Sequence, residues 1–500
     1  MKDYRLLMLT TLIISGCSMV YELIISAVSS YLVGDSTLQY SVTIGLYMFA
    51  LGVGSFLSKF LKKHLWEWLA RVEIGIGIVG GLSSLSLFLA NLYLESYALV
   101  MYVEIAAIGI LAGLEIPLLT RIIEEDNRDL RVTLSSIFSF DYIGGLIGSI
   151  AFPLLLLPHL GYFSTSFLAG ACNLFCAVLI LFGYRKRIPH GTPYRIASVG
   201  LLICMGVGML CAENVSRVIE GGLYRDDIIL MEQTAYQKIV VTKHKDDMRL
   251  YIDGNCQFSS ADEYRYHEGL VHVPMAYAEN HDHILILGGG DGLAVRELLK
   301  YDDVQDITMI DLDPGMTTLC AEDPQISKLN GGSLKSEKLT ILNEDAYRYL
   351  TDCDSIYDVI IVDLPDPNNE ALAKLYTNVF YRMCASHLTE NGILNVQSTS
   401  PYYAPKAFSC IGKTIASEGM DVKPFHMQVP AFGDWGFHMA SKAELTQRHS
   451  LPEDTKFLTE ENLPALFQFG KDELDDTAEI NRLTKPVLIQ YYNDAVRNWA

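Results

Sequence analysis

Five aspartates are spaced as though they serve one site. Asp291, Asp311, Asp345, Asp363 and Asp366 each stand at or just beyond the end of a short apolar run. A carboxylate in such a place can accept hydrogen bonds from hydroxyls, pair with a cationic centre, or take a proton from an attacking amine. Asp291 lies inside Gly288-Gly289-Gly290-Asp291-Gly292, where its charge repels a phosphate and suits a ligand with a positive centre. Asp311 follows 20 residues later, the spacing at which an acid can accept from both ribose hydroxyls of a nucleoside. Any one of the five could be a helix cap or a turn residue. Capping alone is a poor account of five on successive strand ends.

The elements that must position them read as an α/β sheet. Ile284–Glu297 (ILILGGGDGLAVRE) is a buried strand, a glycine turn and a helix start. The glycines let backbone lie against a ligand at positive φ. Ile307–Asp313 and Leu339–Asn343 are further strands, the latter ending in Glu344 and Asp345. Tyr357–Val362 delivers Asp363-Leu364-Pro365-Asp366-Pro367 at its carboxyl end. Leu394–Gln397 and Phe437–Ala440 are later strands, with Phe432 and Trp435 in the loop between. In open α/β sheets the ligand sits beyond the carboxyl ends of the strands, which gathers the aspartates at one edge. Upstream, Gln237–Thr242 and Met248–Ile252 predict a small antiparallel sheet with a turn at Lys243–Asp247. The stretch Leu250–Pro274 then packs Asp253, Gln257, Asp262, Glu263, His267 and Glu268 before the sheet, more polar groups than solubility needs. The tail from Leu451 reads as polar with helical patches at Leu463–Phe469 and Val487–Tyr492 and carries no catalytic signal.

Composition divides the chain. With 50% hydrophobic residues and a mean hydropathy of +0.22, its 500 residues are too apolar for an ordinary soluble enzyme. Through Ala212 there are 13 basic and 13 acidic residues, so the whole net charge of −21 falls downstream. An acidic soluble half disfavours nucleic acid and suits cationic substrates. Ten cysteines without a CxxC pair read as free thiols, and no metal-ligand set is evident. The expected organisation is a multi-pass α-helical membrane domain at 1–213, a linker and small β-domain at 214–280, a Rossmann-like methyltransferase-type domain at 281–445, and a helical tail at 446–500.

Seven apolar runs lie upstream, at Leu6–Ser29, Leu38–Phe60, Val72–Leu92, Ala98–Leu119, Leu134–Leu157, Phe163–Phe182 and Ile196–Cys211. Most reach the roughly 20 residues that cross a bilayer. Basic residues alternate between loops: Lys59, Lys62, Lys63 and Arg71 after the second run, Arg121, Arg128 and Arg131 after the fourth, and Arg185, Lys186, Arg187 and Arg195 after the sixth. These loops and the N-terminus are expected to be cytoplasmic. Seven crossings would then put the downstream half outside, whereas its chemistry calls for the cytoplasm, and the short seventh run is where the two expectations collide. Glu22, Glu73, Glu104, Glu115 and Asp141 lie in or near the runs, either as a path or site for a cation or as helix-end and pairing groups. Gly45, Gly52 and Gly54, and Gly144, Gly145 and Gly148, favour close helix packing.

From Gln233 to Ser441 the chain resembles the spermidine synthase (polyamine aminopropyltransferase) family, in its longer membrane-attached bacterial form. The resemblance rests on Tyr236-Gln237, Asp253-Gly254 with Gln257, Tyr266-His267-Glu268, the glycine turn, Asp311, Asp345 and Asp363-x-x-Asp366-Pro367. It implies aminopropyl transfer from decarboxylated S-adenosylmethionine, a co-substrate, to putrescine, with no separate cofactor and no metal. By the same resemblance Asp363 is the candidate base. Gln237, Gly288, Gly290, Asp311, Asp345 and Ala346 would hold the nucleoside. Asp291 would face the aminopropyl amine, and His267 and Asp366 the polyamine. A homodimer is implied as well, and the lipid bilayer is the further partner. The chain departs from the family's soluble members at Asn368-Asn369-Glu370, at Leu375-Tyr376, at Asp311 where glutamate is usual, and at Ala346 where glycine is common. Two alternatives stay open: a methyltransferase on the same fold, and a polyamine carrier or sensor built on the membrane half.

Overall fold

The computed structural model describes residues 5–33, 36–94, 97–125, 130–224, 226–234 and 236–499. The chain forms two compact units, Met1–Arg225 and Asp226–Ala500.

The upstream unit is helical. Helices Arg5–Leu32, Leu38–Phe60, Tyr97–Glu124, Leu134–Gly183 and Thr192–Leu210 are long and apolar enough to cross a membrane. Leu65–Gly81 and Ser83–Tyr93 pass the same test as a pair bent by 44°. The long Leu134–Gly183 stretch breaks at Gly161, with φ 68° and ψ −175°. There the Thr165 hydroxyl donates to the Leu156 carbonyl at 3.2 Å, nine residues back, a span that a straight helix would stretch to about 13 Å. The seventh run, expected to be the doubtful one, is an unbroken 19-residue helix; the third run is the one that bends. Two of the basic residues used for topology have local duties. Arg121 donates to the Ser58 and Leu61 carbonyls and Arg195 to those of Leu181 and Ile188, each at 2.9 Å, satisfying helix-end oxygens. Arg128 lies outside the described residues. Gly54, Gly144 and Gly148 sit against neighbouring backbone, whereas Gly45 and Gly52 meet nothing within 4 Å and Gly145 touches only side chains. The expected linker after Asn214 is largely helix, Ala212–Leu223, and belongs to this unit.

The downstream unit opens with strands β1 (Asp227–Gln233), β2 (Lys238–His244), β3 (Asp247–Ile252) and β4 (Asn255–Ser259), an antiparallel sheet in chain order. The helix Glu263–Tyr277 leads into a seven-stranded sheet of β5 (His283–Gly288), β6 (Asp306–Ile310), β7 (Leu339–Leu342), β8 (Tyr357–Asp363), β9 (Leu388–Gln397), β10 (Asp421–Val429) and β11 (Gly433–Ser441). Their order is β10-β11-β9-β8-β5-β6-β7. Strands β5 to β9 run parallel, and β11 is antiparallel to both neighbours. The chain leaves β5 on one side through β6 and β7 and returns on the other at β8, so the switch point falls between β5 and β8, where α/β sheets bind ligands.

Residues 284–287 and 359–362 are fully buried because both faces of the sheet are covered. Ile284, Ile286, Val359 and Ile361 enter one core, and Leu285, Leu287, Ile360 and Val362 the other. Each such side chain stabilises the sheet by about 1.5–3 kcal/mol. The tail is less helical than its composition suggests, with a 3₁₀ turn at Leu463–Phe467 and one helix, Val487–Trp499. It packs Leu458, Leu463 and Leu466 into the first core and Ala478, Val487 and Leu488 into the second, and so covers both faces.

Candidate active site

The glycine turn is fitted to two of the aspartates. Gly288 pairs with Asp363 across β5 and β8. At Gly288 (φ 91°) an added Cβ would fall 2.0 Å from the Asp363 carbonyl oxygen, so only glycine fits. One Asp311 oxygen, Oδ2, accepts from the Gly290 N–H at 3.0 Å, and Oδ1 from the Asp313 N–H at 2.9 Å. Burial pushes the Asp311 carboxyl up to about 6 against those two bonds. Asp291 folds back so that Oδ1 accepts from the Leu293 N–H at 2.8 Å, while the Asn330 amide holds its carbonyl. Burial pushes Asp291 up to about 6 as well; His267 opposes the rise and Asp363 adds to it.

Asp363 is reached from the helix Glu263–Tyr277. The Tyr266 hydroxyl donates to Asp363 Oδ1 at 2.6 Å. Burial raises the Asp363 carboxyl, and the His267 charge and the Tyr266 bond hold it down. His267 stands at the end of a relay. Arg296 grips Glu263 with two bonds, Nη1 to Oε1 at 2.8 Å and Nη2 to Oε2 at 2.9 Å, and Glu263 Oε2 holds His267 Nδ1 at 2.9 Å. Burial alone would lower the imidazole. The Glu263 bond and the charges of Asp291, Glu263 and Asp363 outweigh it and carry His267 up to about 9. Burial would raise Glu263, but His267 and Arg296 bring it to about 2. At neutral pH His267 is therefore an imidazolium set among buried acids.

Asp366 lies three residues past the end of β8, in a separate polar nest. Its oxygens meet Gln397 Nε2 at 3.4 Å and Thr399 Oγ1 at 3.3 Å, and Tyr492 from the tail helix adds a third hydrogen bond. Burial pushes this carboxyl up to about 6 against all three. Thr399 holds a left-handed backbone, φ 58°, which a β-branched residue rarely adopts. Gln397 also donates to the Tyr376 hydroxyl at 2.7 Å.

The other expected positions are arranged differently. Asp345 caps the helix Ala346–Asp352, with Oδ1 accepting from the Tyr347 and Arg348 N–H groups, and Oδ2 is paired with Lys374 Nζ at 2.6 Å. Both of its oxygens are occupied, and Ala346 opens the helix in the buried layer beneath. Gln237 is held beside the end of β6: the Thr234 N–H donates to its carbonyl at 3.0 Å, and the Thr234 hydroxyl reaches Asp313 Oδ2 at 2.8 Å. Glu268 does not face the site. Its carboxylate accepts from the Lys456, Phe457 and Leu458 N–H groups and so clamps the tail. Asp262 Oδ2 accepts from the Ala431 N–H, and Asp253 Oδ1 from the Lys238 N–H, both of them loop-fixing contacts.

Known proteins match this chain. Residues 263–450 match the family described as the spermine/spermidine synthase domain. A polyamine aminopropyltransferase of Leptospira interrogans is 41% identical over 493 residues, covering 99% of this chain and 98% of its own. The chain belongs to the polyamine aminopropyltransferase family. Another member, from Oceanobacillus iheyensis, is 40% identical over 97% of this chain and 96% of its own. A solved spermidine synthase in complex with the transition state analogue AdoDATO is 26% identical, with a TM-score of 0.46, covering 50% of this chain and 88% of that one. The full-length matches show that these aminopropyltransferases share the helical unit as well as the α/β unit.

Several residues that contact the candidate aspartates and His267 escape sequence reasoning. Arg296 reads as an ordinary helix charge until the fold brings it to Glu263, which the sequence offers only as one of a dense polar group. Tyr492 and Thr399 carry no motif. Tyr266 was visible only as part of Tyr-His-Glu; its pairing with Asp363, 97 residues on, is tertiary.

Proposed function

We propose that the downstream unit transfers the aminopropyl group of decarboxylated S-adenosylmethionine to putrescine. A putrescine nitrogen attacks the carbon beside the sulfonium, the new C–N bond forms as the C–S bond breaks, and the sulfur leaves as the neutral thioether of methylthioadenosine. The proton released from nitrogen goes to Asp363, giving spermidine. The sulfonium is its own leaving group, so the step calls for no metal or further cofactor. The observation that carries the reading is the grouping of Asp291, Asp363 and His267 at the β5/β8 switch point, with Tyr266 fixed on Asp363. Burial raises the Asp363 carboxyl, while His267 and the Tyr266 bond oppose the rise and favour the ionised form that can take a proton.

Asp311, with the glycine turn at Gly288 and Gly290, takes the ribose side of the donor, and Gln237 flanks it. Asp345 and Ala346 border the nucleoside end, Asp345 acting through the helix that it caps. Asp291 faces the donor's amine. His267 orders the carboxylates around the acceptor, and Asp366 pairs with the acceptor's far ammonium. Holding amine and sulfonium in line supplies much of the acceleration.

The helical unit is read as embedded in the cell membrane with the catalytic unit on the cytoplasmic side. The five helices long and apolar enough to cross a membrane support the embedding, and the cytoplasmic setting that the transfer chemistry calls for supports the side. Detergent-purified full-length protein with decarboxylated S-adenosylmethionine and putrescine should release methylthioadenosine and spermidine in equal amounts. Asp363→Asn should cut the rate about 10²–10⁴-fold. Consumption of intact S-adenosylmethionine with methyl transfer would replace this reading with the methyltransferase.

A further inference from the structure

The helical unit holds a second set of buried carboxylates that the transfer reaction does not use. Three helix pairs meet there along glycine seams. A Cβ on Gly148 would fall 2.3 Å from the Gly16 carbonyl oxygen, one on Gly113 2.2 Å from that of Leu51, and one on Gly170 2.7 Å from that of Gly77. Backbone therefore meets backbone between Arg5–Val33 and Leu130–Ala151, between Ser36–Leu57 and Tyr97–Glu124, and between Leu65–Gly81 and Leu157–Gly183. Each pair sends acid inward: Glu22 and Asp141 from the first, Glu115 from the second, Glu73 from the third. The groups converge. The Tyr21 hydroxyl donates to Asn173 Oδ1 at 3.0 Å, and Asn173 Nδ2 donates to Glu73 Oε2 at 2.9 Å, linking the first pair to the third. Ser18 and Tyr47 join the first to the second. Glu115 lies within electrostatic reach of Glu73 and Asp141, and Tyr47 within reach of Glu115, Glu22 and Asp141.

What this interior lacks, among the described residues, is a counter-charge. Glu73 is 0% exposed and Glu115 8%, yet Oε1 of each has no hydrogen-bond partner. The hydroxyl of Thr43, also 0% exposed and one turn before Tyr47 on the same helix face, is unpartnered too. Among the described residues none of the four carboxylates is in an ion pair. A buried carboxylate without a counter-charge is costly to keep ionised, and carboxylates inside a helical membrane bundle commonly mark a cation's path or site. Unpartnered acceptors on two of the helix pairs, and acids outside any ion pair on all three, with tyrosine rings beside them, suit a linear cation that carries N–H donors at more than one point.

We propose that the helical unit contains a second polyamine site, in which Glu73 and Glu115 take one ammonium group and Glu22 and Asp141, beside Tyr47, take another. The identity of the ligand rests on the aminopropyltransfer reading; the need for a cation rests on the helical unit alone. Equilibrium dialysis of the full chain in detergent with radiolabelled spermidine tests it. Two equivalents per chain are expected. The Asp363→Asn/Asp366→Asn double variant should retain one, and Glu73→Gln/Glu115→Gln should retain the other together with full transferase activity. One equivalent in the wild type, abolished by Asp363→Asn/Asp366→Asn, would overturn the proposal, and that arm decides even if the glutamine variant fails to fold. Labelling of Glu73 or Glu115 by dicyclohexylcarbodiimide that spermidine does not slow would also overturn it, because the site would then hold protons only. Failure of the enzyme reading looks different: no methylthioadenosine forms while the helical equivalent stays bound.

Discussion

Asp363 must stay charged in a place that disfavours charge. Burial raises its carboxyl, and two neighbours, the His267 imidazolium and the Tyr266 hydroxyl, push the other way. A hydrogen bond to an ionised group stabilises the ionised form by about 1.5–3 kcal/mol. Tyr266→Phe removes that bond and leaves the packing of the ring in place, so the Asp363 carboxyl rises further. The expected result is a kcat/KM profile whose acid limb moves to higher pH, with a loss of roughly tenfold or more at pH 6 and a smaller one at pH 8. An equal loss at both pH values would mean that the hydroxyl acts on substrate rather than on the base. The aspartates were legible because they recur at strand ends. The relay from Arg296 through Glu263 to His267 was not, because a charged residue on a helix has the same sequence signal whether it meets solvent or a buried acid 33 residues away.

At the level of elements, the parallel strands announced themselves through apolar runs that only doubly covered strands can carry. Strand β10 did not: Lys423, Pro424 and His426 interrupt it, and it exists because β11 pairs along its whole length. The glycine turn was legible as a turn, but its fit to Asp311 was not. An alanine at Gly290 would put Cβ 2.5 Å from Asp311 Oδ2, forcing the carboxylate off the Gly290 N–H. Gly290→Ala should therefore raise KM for the aminopropyl donor about tenfold or more, with a smaller change in kcat; an unchanged KM would show that Asp311 does not hold the donor. The tail looked inert in sequence, yet its last helix supplies Tyr492 to Asp366. The same tail ties down the segment after Asp366, since Asn481 donates to the Tyr376 carbonyl at 3.0 Å and its own carbonyl accepts from the Asn378 N–H. Tyr492→Phe frees the Asp366 carboxylate of one donor, so KM for putrescine should change several-fold while KM for the donor stays put. Equal movement of both would assign the tail a general folding role instead.

Over the whole molecule, charge and fold divide almost together. The composition turns acidic near Asn214, and the first compact unit ends at Arg225, because the amphipathic helix Ala212–Leu223 still packs with the apolar helices. All of the net −21 therefore sits on the unit that carries the aspartates of the proposed site. Such a field draws cations toward the carboxylate edge and raises their local concentration, but only over distances that salt leaves unscreened. Between about 0.01 M and about 0.15 M salt the screening length falls from about 30 Å to about 8 Å, shorter than the reach of a domain-wide field but longer than a contact inside the site. Putrescine capture should then weaken while the buried chemistry does not. Steady-state kinetics across that range should show kcat/KM for putrescine falling several-fold with kcat nearly constant, and an uncharged competitor at the nucleoside site, such as methylthioadenosine, should bind almost independently of salt. If kcat fell in step with kcat/KM, salt would be acting on the buried carboxylates themselves; if neither moved, the acidity of this unit would serve solubility and not substrate capture.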